Sequence, residues 1–303
     1  MTRRLLVPLD GSRLAESVLP AAAALARIFG ADVLLLHVVE KGSPRTVHGQ
    51  RHLAGGAEAR EYLRGAAERF FPAGVPVETH VHEEAVRDAA KGIAEHEGEF
   101  AFDLVVMSVH GRGRAARLVA GGLAQEVLAH GSRPVLLLHA EDPRVGDRFP
   151  CRSVLIPVDP EAAHGESFAH ALEFSRGLGA PVHLVMVVPT FSTLSPRGAA
   201  SGLLMPGTAD ALLDLTAEQA GSLLAEKKAQ ASAQGLEVST DVLRGDPARA
   251  IVKAAGLLSL DLVILGTHGK SGMEAFWAGS VAHGVYSRCL LPLLLAPEKR
   301  PSR

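Results

Sequence analysis

The stretch Gly266-Thr-His268-Gly269-Lys270-Ser-Gly-Met-Glu-Ala-Phe-Trp-Ala-Gly279-Ser280 decides the reading of this chain. It follows Leu260-Asp261-Leu-Val-Ile-Leu265, an apolar, β-branched run that reads as a buried strand. It leads into Val281-Ala-His-Gly-Val-Tyr286, which reads as the first turns of a helix. Gly266 lets the chain turn sharply off the strand. Gly269 lets the backbone approach a ligand with no Cβ in the way. Gly279, Ser280 and Val281 fall where the helix begins, with free backbone N–H groups and a hydroxyl. A loop of N–H groups and a helix N-terminus aimed at one point suit a phosphate.

Two look-alike motifs fail on spacing. Gly269-Lys270-Ser271 ends like a Walker A loop, but that loop needs a glycine where Ile264 stands. Gly111-Arg112-Gly113-Arg-Ala-Ala116 matches a dinucleotide fingerprint, but it follows a late strand and lacks the acidic residue that should end the next strand.

The order of elements before this stretch occurs twice. Arg4–Leu9 is a strand ending at Asp10-Gly11-Ser12, and Arg152–Val158 is a strand ending at Asp159. Gly30–Val39 is matched by Gly179–Val188, and Asp103–Leu138 aligns without a gap on Asp261–Ala296. A period of about 150 residues means duplicated domains and not a solenoid. The expected domains are 1–140 and 150–303, joined by the polar segment Glu141–Arg148. Within the first, helices are expected over about 13–29, 56–71, 84–96 and 122–130. Strands are expected over 32–39, 75–81, 103–107 and 134–139, with a loop at 41–54.

Alternating strands and helices with apolar strands imply an α/β fold: two Rossmann-like domains, each a five-stranded, mainly parallel sheet covered on both faces. In the strand order 3-2-1-4-5, ligands sit at the switch point between the first and fourth strands, beyond their C-terminal ends. Asp159 ends the first strand of the second domain and Gly266 ends its fourth, so the two marks converge.

The chain is 303 residues long, 47% hydrophobic and 21% charged, enough for two packed cores. Its net charge of −2 argues against a nucleic-acid binder. The N-terminus has no apolar signal core, and no run reaches membrane-span length. Two cysteines, Cys151 and Cys289, have no metal or redox spacing, so a reducing, cytoplasmic location is expected.

With Leu-Val-Pro-Leu9-Asp10-Gly-Ser12, Leu-His37-Val38-Val39, Arg244-Gly-Asp-Pro-Ala248 and the Gly266–Ser280 loop, both halves resemble the universal stress protein family. What the resemblance implies is an ATP or related adenine-nucleotide site. A first-strand aspartate meets the nucleoside, a second-strand valine meets the adenine, and the glycine loop holds ribose and phosphates. In this chain these become Asp159, Val187, Gly266, Gly269, Gly279 and Ser280, flanked by His268, Lys270 and Val281. Each has a plainer reading: Asp159 as a polar strand end, Val187 as core, His268 as loop structure, Lys270 as a solvated charge.

Pro160 stands where the first half has Gly11, which puts the path after Asp159 in question. The first half departs further, with Ser108 at the first loop glycine and Gly122 at the final serine. If that first glycine has positive φ, a side chain costs about 1–2 kcal/mol. A lost hydrogen bond to phosphate costs about 1.5–3 kcal/mol. The expected weaker second site comprises Asp10, Val38, Gly111, Arg112, Gly121 and Gly122. Arg112, Arg114 and Arg117 offset part of the loss or form only a solvated basic loop.

Fourteen histidines, including His48 with His52 and His80 with His82, show no zinc-like spacing with Cys, Asp or Glu. No protein metal site is expected; magnesium arriving with the nucleotide is the better fit. No nucleophile–base pair marks a catalyst. The leading reading is a regulatory stress or energy sensor acting by conformation. The alternatives are a weak ATP hydrolase or nucleotidyl transferase, and a ligand-free interaction scaffold. The apolar fifth strands, 134–139 and 292–296, are edges that need covering. They are expected to pair antiparallel within one chain, the alternative being an intertwined homodimer.

Overall fold

The computed structural model describes residues 2–40, 46–47, 50–51, 53, 55–86, 88–109, 122–139, 149, 151–159, 165–193, 206–267 and 281–297. In chain order the described elements begin β1 (Arg4–Pro8), α1 (Arg13–Glu16), α2 (Leu19–Phe29), β2 (Asp32–Glu40), β3 (Thr46–Val47), β4 (Gln50–Arg51) and α3 (Gly56–Phe70). They continue with β5 (Val77–Val86), α4 (Ala89–Glu95), α5 (Glu97–Phe100), β6 (Leu104–Val109), α6 (Gly122–His130) and β7 (Val135–His139). Next come β8 (Val154–Pro157), α7 (Glu166–Leu178), β9 (Val182–Val188), α8 (Pro206–Ser232), β10 (Val238–Arg244), α9 (Pro247–Leu257), β11 (Leu262–Thr267), α10 (Val281–Tyr286) and β12 (Leu293–Pro297).

They gather into two compact units. One holds the described residues of Met1–Pro150 and Leu290–Arg303, the other those of Cys151–His268 and Glu274–Cys289. In the first unit β1 lies between β2 and β6, β2 pairs with β5 and β6 with β7, all parallel. β12 adds to β7 antiparallel, with Leu293 opposite Leu137, Leu294 opposite Leu136 and Leu295 opposite Val135. In the second unit β8 lies between β9 and β11, and β10 pairs with β9, again all parallel. Strands such as Leu5-Leu6-Val7 and Leu34-Leu35-Leu36 are apolar without alternation because both faces are buried, every one of these side chains being 0% exposed. Among the described residues no helix is long and apolar enough to cross a membrane.

Local signals account for many boundaries. Gly30 and Gly179 both end their helices in the left-handed conformation, with φ of 61° and 65°, which glycine adopts without a Cβ penalty. Asp103 accepts hydrogen bonds from the Arg3 and Arg4 backbone N–H groups at 2.7 and 3.1 Å. Asp261 does the same for the Arg152 N–H at 2.8 Å. Each repeat thus ties the start of its fourth strand to the start of its first.

Three expectations need correction. The helix expected over 13–29 breaks after Glu16, because Pro20 has no N–H to continue the ladder and α2 starts afresh at Leu19. Residues 84–86, expected to be helical, extend β5, whose pairing with β2 runs on to Glu40 opposite Val86. The following helix waits for Asp88, whose carboxylate accepts from the Lys91 N–H at 3.1 Å. Part of the expected loop over 41–54 is the small antiparallel ribbon of β3 and β4.

Burial, aided by the Asp261 carboxylate, pushes the Cys151 thiol up to about 12. At pH 8 its thiolate is then about a thousandfold scarcer than that of an ordinary cysteine. Alkylation of the native protein at Cys151 is expected to be slower than in urea by that factor, as peptide mass mapping would record. Equal rates in the two conditions would contradict this environment.

Candidate functional site

In the first unit, β1 runs out at Pro8 into Leu9, Asp10 and a tight turn. The Ser12 N–H donates to Asp10 Oδ1 at 2.8 Å, and the Ser12 hydroxyl oxygen accepts from the Ala15 N–H at 3.1 Å, capping α1. Gly11 has φ +88°, and a Cβ there would lie 2.7 Å from Leu53 Cγ. His37, 1% exposed, places its Nδ1 2.7 Å from the Leu9 carbonyl. That oxygen only accepts, so Nδ1 carries the proton and the ring locks β2 to the end of β1.

Beyond these strand ends is a cavity of about 110 Å³. Asp10, His37 and Val38 line it from β1 and β2, and Met107 and Ser108 from β6. Ala89 and Ile93 of α4 and Leu123 and Ala124 of α6 close it. This is the crevice between first and fourth strands where a parallel sheet takes its ligands. Asp10 and Val38, named from sequence, are brought together there. Gly122 opens α6, and Gly111, Arg112 and Gly121 lie outside the described residues. His37 and the α4 wall were missed; a histidine inside an otherwise apolar strand was the available signal.

Ser108 sits within β6 and is half-buried. Among the described residues the only non-glycines with positive φ are Ala101 and Ser259. Ser108 therefore carries no left-handed strain, and the conformational part of the expected penalty does not arise. Gly266 likewise lies inside β11 without positive φ, so it does not make a sharp turn. It is needed for space: a Cβ there would lie 2.6 Å from Ser167 Oγ and 3.1 Å from Ser167 Cβ.

In the second unit Asp159 is exposed just beyond β8, Val187 is half-buried in β9 and Gly266 is exposed near the end of β11. Because β8 lies between β9 and β11, all three stand at the C-terminal ends of neighbouring strands. The Val158 N–H donates to the Val185 carbonyl at 2.7 Å, as the Leu9 N–H does to Leu36 at 2.8 Å. The two repeats thus leave the sheet in the same way. Val281 is the exposed first residue of α10. His268, Gly269, Lys270, Gly279 and Ser280 lie outside the described residues.

Among the described residues no group of three or more His, Cys, Asp or Glu side chains is placed to hold a metal ion. Behind Asp10, burial first and then the Glu16 carboxylate raise the Tyr62 hydroxyl's pKa, with Asp10 adding to the effect. Arg69 pairs with Glu16 at 3.0 Å.

The sequence model described as "Universal stress protein family" matches residues 1–139 and again 150–297. The chain belongs to the universal stress protein family. A universal stress protein of Methanocaldococcus jannaschii is 30% identical over 152 residues, covering 50% of this chain and 84% of its own. One from Mycobacterium tuberculosis strain H37Rv is 28% identical over 200 residues, 65% of this chain and 62% of the relative. The crystal structure of a universal stress protein from Archaeoglobus fulgidus matches with a TM-score of 0.65 at 17% identity, covering 97% of this chain and 96% of the other. At that identity the likeness establishes the fold alone, the α/β architecture of a tandem universal stress protein.

Proposed function

We propose that this tandem universal stress protein binds ATP or a related adenine nucleotide, mainly in its second domain, and acts as a regulatory stress or energy sensor by conformation. The observation that carries this is the sequence Gly266, Gly269, Gly279-Ser280 issuing from the end of β11, beside the strand that delivers Asp159. Asp159 and Val187 would meet the nucleoside. His268, Gly269, Lys270, Gly279, Ser280 and Val281 would surround the phosphates and any magnesium they bring. The domains are 1–140 and 150–303, and the protein works in the cytoplasm. Their fifth strands pair within one chain, a reading supported by the register of Leu293 with Leu137.

A second reading has its own support. The cavity of the first unit is lined by Asp10 and Val38 and tolerates Ser108 without backbone strain. It is a weaker, second site for the nucleoside moiety.

Because residues 290–297 belong to the first unit, the test uses the full chain. In calorimetric titration with magnesium and ATP, Gly279→Val is expected to weaken binding at least about 100-fold, about 2.7 kcal/mol. A branched side chain would crowd the approach of the phosphate. Asp10→Ala should change the dominant affinity less than about threefold, roughly 0.6 kcal/mol. The reverse pattern would move the principal site to the first domain. Turnover near about 10 per second would replace the sensor with an enzyme. His268→Ala would then be the variant to assay, since an imidazole titrates near neutrality.

A further inference from the structure

The cavity wall α4 is held at both ends by histidines. At its start, Asp88 caps the helix and lies 3.7 Å from His130 Nε2 of α6. At its end His96, 6% exposed, caps it and turns its ring onto β5. His96 Nδ1 is 2.8 Å from Glu99 Oε2, and His96 Nε2 is 3.1 Å from His82 Nδ1. The His80 ring lies 4.9 Å from that of His96 and 4.8 Å from Phe100. His82 Nε2 is buried without a hydrogen-bond partner.

The protons of this cluster can be counted. Glu99 accepts, so His96 Nδ1 carries a proton. The facing nitrogens of His82 and His96 share one proton between them, as donor and acceptor. A further proton has only one place left, His82 Nε2, whichever ring carries the charge. That creates a buried N–H with no acceptor, which the closed cluster resists. Burial, then the charge on His96, lower the His80 pKa, with His82 adding and Glu99 and Glu78 opposing.

Other charges nearby are already engaged. Arg4 pairs with Glu78 and stands over the Phe100 ring at 5.8 Å. Glu97 accepts from the Ser132 and Arg133 N–H groups at 2.7 and 3.2 Å. Lys91 pairs with Glu95, and Arg60 with Glu83, a residue of odd number pointing to the other face of β5.

We propose that α4 is a proton-gated wall of the first-unit cavity: proton uptake by the His80–His82–His96 cluster frees its C-terminal end from β5, while Asp88 and His130 hold its N-terminal end. The proposal stands on the wall's geometry and is independent of the nucleotide reading. The sign follows from linkage. His80, whose pKa is lowered in the closed form, stabilises that form fully above about pH 6.5. The stabilisation is lost as pH falls through that value toward the lowered one.

Hydrogen exchange of the full chain, followed by mass spectrometry at pH 7.5 and 5.5 and corrected for intrinsic rates, tests it. Protection of residues 89–95 is expected to fall about tenfold at the lower pH, the effect of one proton linked over one pH unit. α2, in the same unit, should not change. The double variant His80→Gln/His82→Gln, which removes the group whose pKa is lowered and can still donate to His96, should abolish the pH dependence. Glu99 is 59% exposed and tolerates Glu99→Gln, which should move the midpoint down. Protection of α4 that is flat with pH in the unaltered protein overturns the proposal. So does a midpoint unchanged in both variants.

Discussion

Gly11→Val is expected to destabilise the protein by about 2–5 kcal/mol. Two independent terms add. The position has φ +88°, where a side chain costs about 1–2 kcal/mol because Cβ crowds the following carbonyl. The added Cβ would also meet Leu53 Cγ at 2.7 Å and Cδ1 at 3.1 Å, with Leu53 itself only 7% exposed. Overpacking of this kind costs about 1–3 kcal/mol. A double-mutant cycle separates the two. Leu53→Ala alone removes buried apolar surface and costs about 2–5 kcal/mol. In Gly11→Val/Leu53→Ala the contact with Leu53 is gone and the strain is kept, so the double variant should be more stable than the sum by about 1–3 kcal/mol, the overpacking term. Strict additivity in urea unfolding would mean that backbone strain is the whole effect. The turn also holds Asp10 in place, so these variants should lower any affinity of the first-unit cavity.

Gly266→Val should cost about 1–3 kcal/mol, for a different reason. The backbone there suits any residue, and valine favours strands. The obstacle is Ser167 on α7, 5% exposed, whose Oγ and Cβ would lie 2.6 and 3.1 Å from the new Cβ. The hydroxyl can rotate away, but Ser167 Cβ is fixed to the helix, so α7 must shift by a few tenths of an ångström. Ser167→Ala should therefore relieve only part of the damage. A Gly266→Val/Ser167→Ala chain as stable as the unaltered protein would place the whole conflict in the hydroxyl. Full stability in Gly266→Val alone would remove the account. Ser108, the equivalent residue in the first repeat, carries its side chain within a strand without positive φ, so the constraint belongs to the second unit's packing and not to the loop pattern.

Much of this architecture is written locally. The buried strands appear as apolar runs, because parallel strands covered on both faces have no polar side to show. The helix stops at Gly30 and Gly179 are legible because only glycine takes the left-handed conformation cheaply. The doubling appears as repeated order, and Asp10, Val38, Asp159, Val187 and Gly266 mark strand ends whatever surrounds them. Other features exist only through contacts between distant residues. Pairing with β2 makes residues 84–86 a strand against their helical pattern. Ser167, far along the chain, makes Gly266 necessary for space where its sequence context suggested a turn. The apolar fifth strands announced their antiparallel pairing in the sequence, but that β12 clusters with the first unit although it lies at the end of the second repeat follows only from its contacts with β7. His80 and His82 showed in the sequence as neighbours on one strand face. What makes them a coupled cluster is His96, brought to them by the fold at the end of α4 with one nitrogen already committed to Glu99.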